Sequence, residues 1–105
     1  MNLEERVQIA ILTKYYGQLL TERQRDILSM YVDSNLSLAE VSVELGISRQ
    51  AVKDALDTAF QTLKQTEEKL GFISRDKKFK EIIENKQPNQ IDMATKLELI
   101  AYLED

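Results

Sequence analysis

The stretch SLAEVSVELGISRQAVKDAL, residues 37–56, decides the fold. Ser37 and Glu40 have the spacing of a capping box, so a helix opens there with Leu38, Val41 and Leu45 on its inner side. Gly46 can adopt the positive φ that stops this helix, Ile47 can plug the core behind it, and Ser48 can cap the next helix. Val41, Leu45, Ile47, Val52 and Leu56 can then share one small core, with Ser42 and either Ala51 or Ala55 allowing close approach. Cap, glycine, turn hydrophobe and second cap fall in the order of a helix-turn-helix. An ordinary helical hairpin has the same parts and is the alternative.

The same patterning extends outward. Leu3, Val7, Ala10, Ile11 and Tyr15 recur at helical spacing ahead of Gly17, which predicts a helix over about 3–16 with a left-handed cap at the glycine. A second apolar row, Ile9, Leu12 and Tyr16, shares that helix. One row faces the core and the other needs a cover, from a sister subunit or from C-terminal helices of the same chain. Thr21 and Gln24 repeat the capping-box spacing before Ile27, Leu28 and Tyr31, predicting a helix over about 22–33 that Asn35 breaks.

No helix breaker occurs from Arg49 to Leu70, a run that as a helix measures about 33 Å. Along it Val52, Leu56, Ala59, Leu63, Thr66 and Leu70 form a seam with steps of four and three, which wants another helix, from the C-terminal segment or from a second copy. Gly71 ends this helix. Ser74 is the expected cap of a fifth, with Phe79, Ile82 and Ile83 as its apolar edge. Pro88 in KQPNQ marks a linker, and Asp92 then caps a short helix bearing Met93, Leu97, Ile100 and Ala101. The expected architecture is all-α: a helix-turn-helix domain over residues 1–87 with a long recognition-type helix, then a linker and short helix over 88–105 that pack on the domain or on a partner.

Composition narrows the chemistry. The chain has 105 residues, 43% of them hydrophobic, enough for one modest core. It contains no cysteine and no histidine, which excludes disulfides, thiol nucleophiles, histidine relays and zinc sites of the usual nitrogen and sulfur type. No catalytic residue, metal site or cofactor is expected. Glu4 and Glu5 stand where a secretory leader needs positive charge, and the apolar run from Ile9 to Leu12 is too short to span a membrane. These features predict a cytoplasmic protein without membrane insertion.

Ser48, Arg49, Gln50 and Lys53 begin the long helix on the side opposite Val52, Ala55, Leu56 and Ala59. In a major groove Arg49 matches guanine, Gln50 matches adenine, and Lys53 matches a phosphate or a guanine. The electrostatic balance runs the other way. The net charge is -4, and within 37–57 Arg49 and Lys53 face Glu40, Glu44, Asp54 and Asp57, a local balance of -2, whereas DNA-facing modules are usually positive. The alternative for these side chains is a solvated face. Arg75, Lys77, Lys78 and Lys80 against Asp76 make residues 70–80 the most basic stretch, at +3, suited to a nucleic-acid backbone, to an acidic protein face, or to solubility alone.

LLTERQRDILSMYVDSNLSLAEVSVELGISRQAVKDAL, residues 19–56, resembles the promoter-reading fourth region of bacterial sigma factors. Residues 1 to about 87 resemble the YlxM-like family more closely, through KYYGQLLTERQ, the SLAEV start, SRQAVKDAL and the continuation LKQTEEKLGF. That resemblance implies a sigma-like helical fold, a DNA-binding regulatory role and a link to the signal recognition particle. Expected partners are therefore DNA, or the particle's protein or RNA; a homodimer is the assembly where a second copy covers the open helix faces.

Overall fold

The structure, a computed structural model, describes residues 1–85 and 93–103. It comprises helices α1 (Leu3–Tyr16), α2 (Glu22–Leu28), α3 (Leu38–Leu45), α4 (Arg49–Leu70), α5 (Phe72–Glu84) and α6 (Met93–Leu103), with no strand among the described residues. Two compact units result, Met1–Leu70 and Gly71–Asp105. The expected linker at Pro88 and the cap at Asp92 lie outside the described residues.

In the first unit, α4 is the element against which α1, α2 and α3 all pack. Val52, Leu56, Ala59 and Leu63 are buried along its seam, and Ile9, Leu12, Tyr16, Leu20, Ile27, Leu28, Val32 and Val41 are the other buried apolar side chains of this unit. Full burial of one such aliphatic side chain stabilises by about 1.5–3 kcal/mol, so this layer dominates the unit's stability. The seam is therefore covered, within this unit, by the three preceding helices. It ends at half-buried Thr66, and Leu70 is exposed.

The local signals act as their chemistry requires. Asn2, Thr21 and Ser37 cap α1, α2 and α3 through their side chains, and the last two form complete capping boxes with Gln24 and Glu40. Gly17 departs from the expectation of a left-handed cap: its φ is -58° and it opens a short 3-10 turn, Gly17–Leu19. A Cβ there would sit 3.2 Å from Thr13 Cγ2, a tight contact that a shift of a few tenths of an ångström would relieve. The second helix also differs from a continuous run over 22–33. After Leu28 the backbone widens into a π-type turn, Ser29–Asp33, closed by Ser34 N–H donating to Ser29 C=O at 3.1 Å. The extra residue makes Val32 the buried side chain and leaves Tyr31 half-buried. The Val32 carbonyl accepts from the Arg6 guanidinium, tying α1 to this turn. Asn35, at φ 55°, then reverses the chain.

On α1 the core takes Ile9, Leu12 and Tyr16, while Leu3, Val7, Ile11 and Tyr15 stay exposed. In the second unit α5 packs with α6. Ile82 is buried, Phe79 and Ile83 are half-buried, and the Tyr102 hydroxyl donates to Ser74 C=O at 3.4 Å. Ser74 is not the cap of α5. The helix starts two residues earlier, after Gly71 at φ 65°, which by its positive angle both breaks α4 and begins α5. Leu97 and Ile100 are exposed.

Candidate nucleic-acid interface

The turn between α3 and α4 is a Schellman closure. Gly46, at φ 65° and ψ 34°, donates its N–H to Val43 C=O at 3.3 Å, and Ile47 N–H reaches back to Ser42 C=O at 3.1 Å. A Cβ added at Gly46 would have no heavy atom within 4 Å, so the glycine is demanded by backbone angle and not by space. The turn leaves Ile47 half-buried between the helices and delivers Ser48 to the start of α4, where its Oγ accepts from Ala51 N–H at 3.0 Å. Ser48 is thereby engaged as a cap.

Beyond the cap, α4 sorts its side chains by helical face. Val52 and Leu56 go inward, Ala55 is half-buried, and Arg49, Gln50, Lys53, Asp54 and Asp57 are exposed. Gln50 Nε2 donates to Asp54 Oδ1 at 2.8 Å, and Lys53 Nζ meets Asp57 Oδ2 at 3.3 Å. Arg49 has no hydrogen-bond or ion-pair partner among the described residues. It is a cation at the positive end of a helix dipole, an arrangement that an anionic or acceptor-rich ligand relieves.

Sequence reasoning placed Arg49, Gln50 and Lys53 together and on the surface. It treated Asp54 and Asp57 as opposing charges on a solvated face and did not assign Asp54 to Gln50 or Asp57 to Lys53. The signal was present, as 50/54 and 53/57 are both i,i+4 pairs. Such exposed pairs stabilise by about 0.3–0.5 kcal/mol, little against the ~1–3 kcal/mol of a good base contact.

The second basic group lies on α5, in the other unit. Lys77 and Lys78 are exposed and Arg75 is half-buried. Lys80 pairs with Glu84 at 3.7 Å, whereas Arg75, Lys77 and Lys78 have no ion-pair partner among the described residues. No helix among the described residues is long and apolar enough to cross a membrane.

The profile of the UPF0122 family, described as "Putative helix-turn-helix protein, YlxM / p13 like", matches residues 3–102. A UPF0122 protein of Halalkalibacterium halodurans is 35% identical over 102 residues, which cover 97% of this chain and 94% of that relative. One from Desulforamulus reducens is 45% identical over 73 residues, 70% of this chain and 62% of that protein's length. One from Clostridium kluyveri is 40% identical over 79 residues, 75% of this chain and 71% of that protein. The match over nearly the whole chain and the α3–α4 geometry agree, and the chain belongs to the UPF0122 family of helix-turn-helix proteins.

Proposed function

We propose that this protein is a cytoplasmic, non-enzymatic DNA-binding regulator that acts by binding alone. The observation that carries the reading is Arg49, without a partner among the described residues, at the exposed start of α4, held outward by the Gly46 closure and the Ser48 cap. Arg49 reads guanine, Gln50 reads adenine, Lys53 reaches a phosphate or a guanine, and Ser48 fixes the turn that presents them. Arg75, Lys77 and Lys78 contact the phosphate backbone. The exposed α1 row of Leu3, Val7, Ile11 and Tyr15 is the surface for a second copy, giving a homodimer on a partly symmetric site.

Fluorescence anisotropy with genomic fragments tests this. Affinity is expected to fall steeply between 50 and 200 mM salt, with a log–log slope of about -0.9 per phosphate contact. Arg49→Ala should erase sequence preference. Flat, sequence-blind, weak binding sinks the reading.

A second reading rests on the engagement of Gln50 and Lys53 by carboxylates, which makes this face suited to a protein surface. In it the same scaffold is an adaptor for the signal recognition particle, through its GTPase or its RNA. An adaptor for the protein brings down particle components after nuclease treatment, an RNA binder loses them on treatment, and a DNA regulator recovers neither.

A further inference from the structure

We infer that Asp54 is a positioning residue that sets the base preference of the helix-turn-helix by fixing the Gln50 amide, an inference that rests on the DNA reading above. Gln50 Nε2 lies 2.8 Å from Asp54 Oδ1. An ionised carboxylate only accepts hydrogen bonds, so the amide must turn its nitrogen toward Asp54. The Gln50 oxygen is then committed to the other side, together with the second amide hydrogen. One acceptor beside one donor is the complement of adenine in the major groove, where N6 donates and N7 accepts. Guanine offers O6 and N7, two acceptors, and the fixed oxygen would oppose O6.

Without Asp54 this selection disappears. A glutamine on an exposed helix face rotates about three torsions and can offer either its oxygen or both amide hydrogens, so it accommodates adenine and guanine alike. Asp54 thus acts on bases it does not touch, and removes orientations of Gln50 that would admit the wrong base pair. Lys53 leaves this role to Asp54 alone, because its own partner is Asp57, 3.3 Å away on the neighbouring strip of the helix. The carboxylate also faces the ligand side, where it weakens attraction to phosphates. Some affinity is given up for discrimination, as negative elements in specific interfaces do.

The test starts from a duplex selected by the full-length wild-type chain from a randomised pool. Each base pair is then exchanged in turn, and binding is measured for the wild type, Q50A, D54A and D54N. At one position the wild type is expected to prefer adenine over guanine by about 10-fold or more. Q50A and D54A should both reduce that ratio to less than about 3-fold, and D54A should bind non-specific DNA more tightly than the wild type. D54N should relax the preference as D54A does, since an asparagine both donates and accepts and so leaves the Gln50 amide free to face it either way. A preference that survives D54A or D54N at the wild-type ratio overturns the assignment of Asp54 while leaving DNA binding intact. Failure of the wild type to select any sequence, with flat salt dependence, overturns the DNA reading itself and this inference with it.

Discussion

The Tyr16 hydroxyl donates to the Glu67 carboxylate at 2.5 Å, joining residues 51 positions apart and locking the end of α1 to the last third of α4. Tyr16 is buried and Glu67 half-buried, so the bond is partly shielded from water while the carboxylate keeps access to it. A hydrogen bond to a charged group contributes about 1.5–3 kcal/mol, and the wet carboxylate places this one at the lower end. Tyr16→Phe is expected to lower stability by ~1.5 kcal/mol, and Glu67→Gln by less, because an amide oxygen still accepts from the phenol. Urea denaturation monitored by circular dichroism reads both. Equal stability of Tyr16→Phe and the wild type contradicts the clamp.

Gly46 gives a second, independent test. Its φ of 65° costs an alanine about 1–2 kcal/mol, partly offset by the smaller freedom of alanine in the unfolded chain. Since nothing crowds the position, the whole effect comes from the backbone. Gly46→Ala should therefore destabilise by ~1 kcal/mol, and Gly46→Asn by less, as asparagine tolerates the left-handed region. If alanine and asparagine cost the same in thermal unfolding, the turn geometry is not what determines the cost.

The helices were legible because their signals are local. Thr21 with Gln24, Ser37 with Glu40, and Gly46 before Ser48 are read within four residues, and all three operate as their spacing implies. The long helix over 49–70 follows from the lack of any breaker. What covers a face is not local. The α4 seam carries no label naming its partner, and the cover proves to be α1, α2 and α3. Gly17 shows the same limit, for a glycine at an ordinary helical φ looks in sequence like one kept for its positive φ. The π-type turn at 29–33, whose Val32 carbonyl accepts from Arg6, is encoded by no spacing rule. At the candidate site, exposure of Arg49, Gln50 and Lys53 was readable from periodicity, and i,i+4 spacing allowed engagement by Asp54 and Asp57, but which carboxylate holds which side chain needed side-chain geometry.

The exposed row on α1 predicts the assembly. Val7 and Ile11 lie at its centre, and Ile9, Leu12 and Tyr16 on the buried face do the structural work. Val7→Glu with Ile11→Glu should leave unfolding unchanged to within about 0.5 kcal/mol, as exposed substitutions do. Sedimentation equilibrium should show self-association in the wild type and a monomer in the double variant. A wild type that is monomeric across the accessible concentrations removes the dimer from the proposed mode of binding.

The pairing of Lys53 with Asp57 predicts how the charge on α4 is gated. Both side chains are more than half exposed, so the pair is worth only about 0.3–0.5 kcal/mol, and a DNA phosphate can displace it. Asp57 nevertheless remains nearby and opposes the phosphate that Lys53 approaches. Asp57→Asn should therefore tighten DNA binding and make the log–log salt slope steeper, by up to about 0.9 if Lys53 gains one full phosphate contact. Lys53→Ala should shift the slope in the opposite direction, and in a Lys53→Ala background Asp57→Asn should have much less effect, because the two side chains act on one contact. Additive changes in the double variant would show that Asp57 acts on the general field and not through Lys53. If salt slopes of all four proteins coincide, Lys53 does not meet a phosphate, and this face of α4 lies away from the nucleic acid.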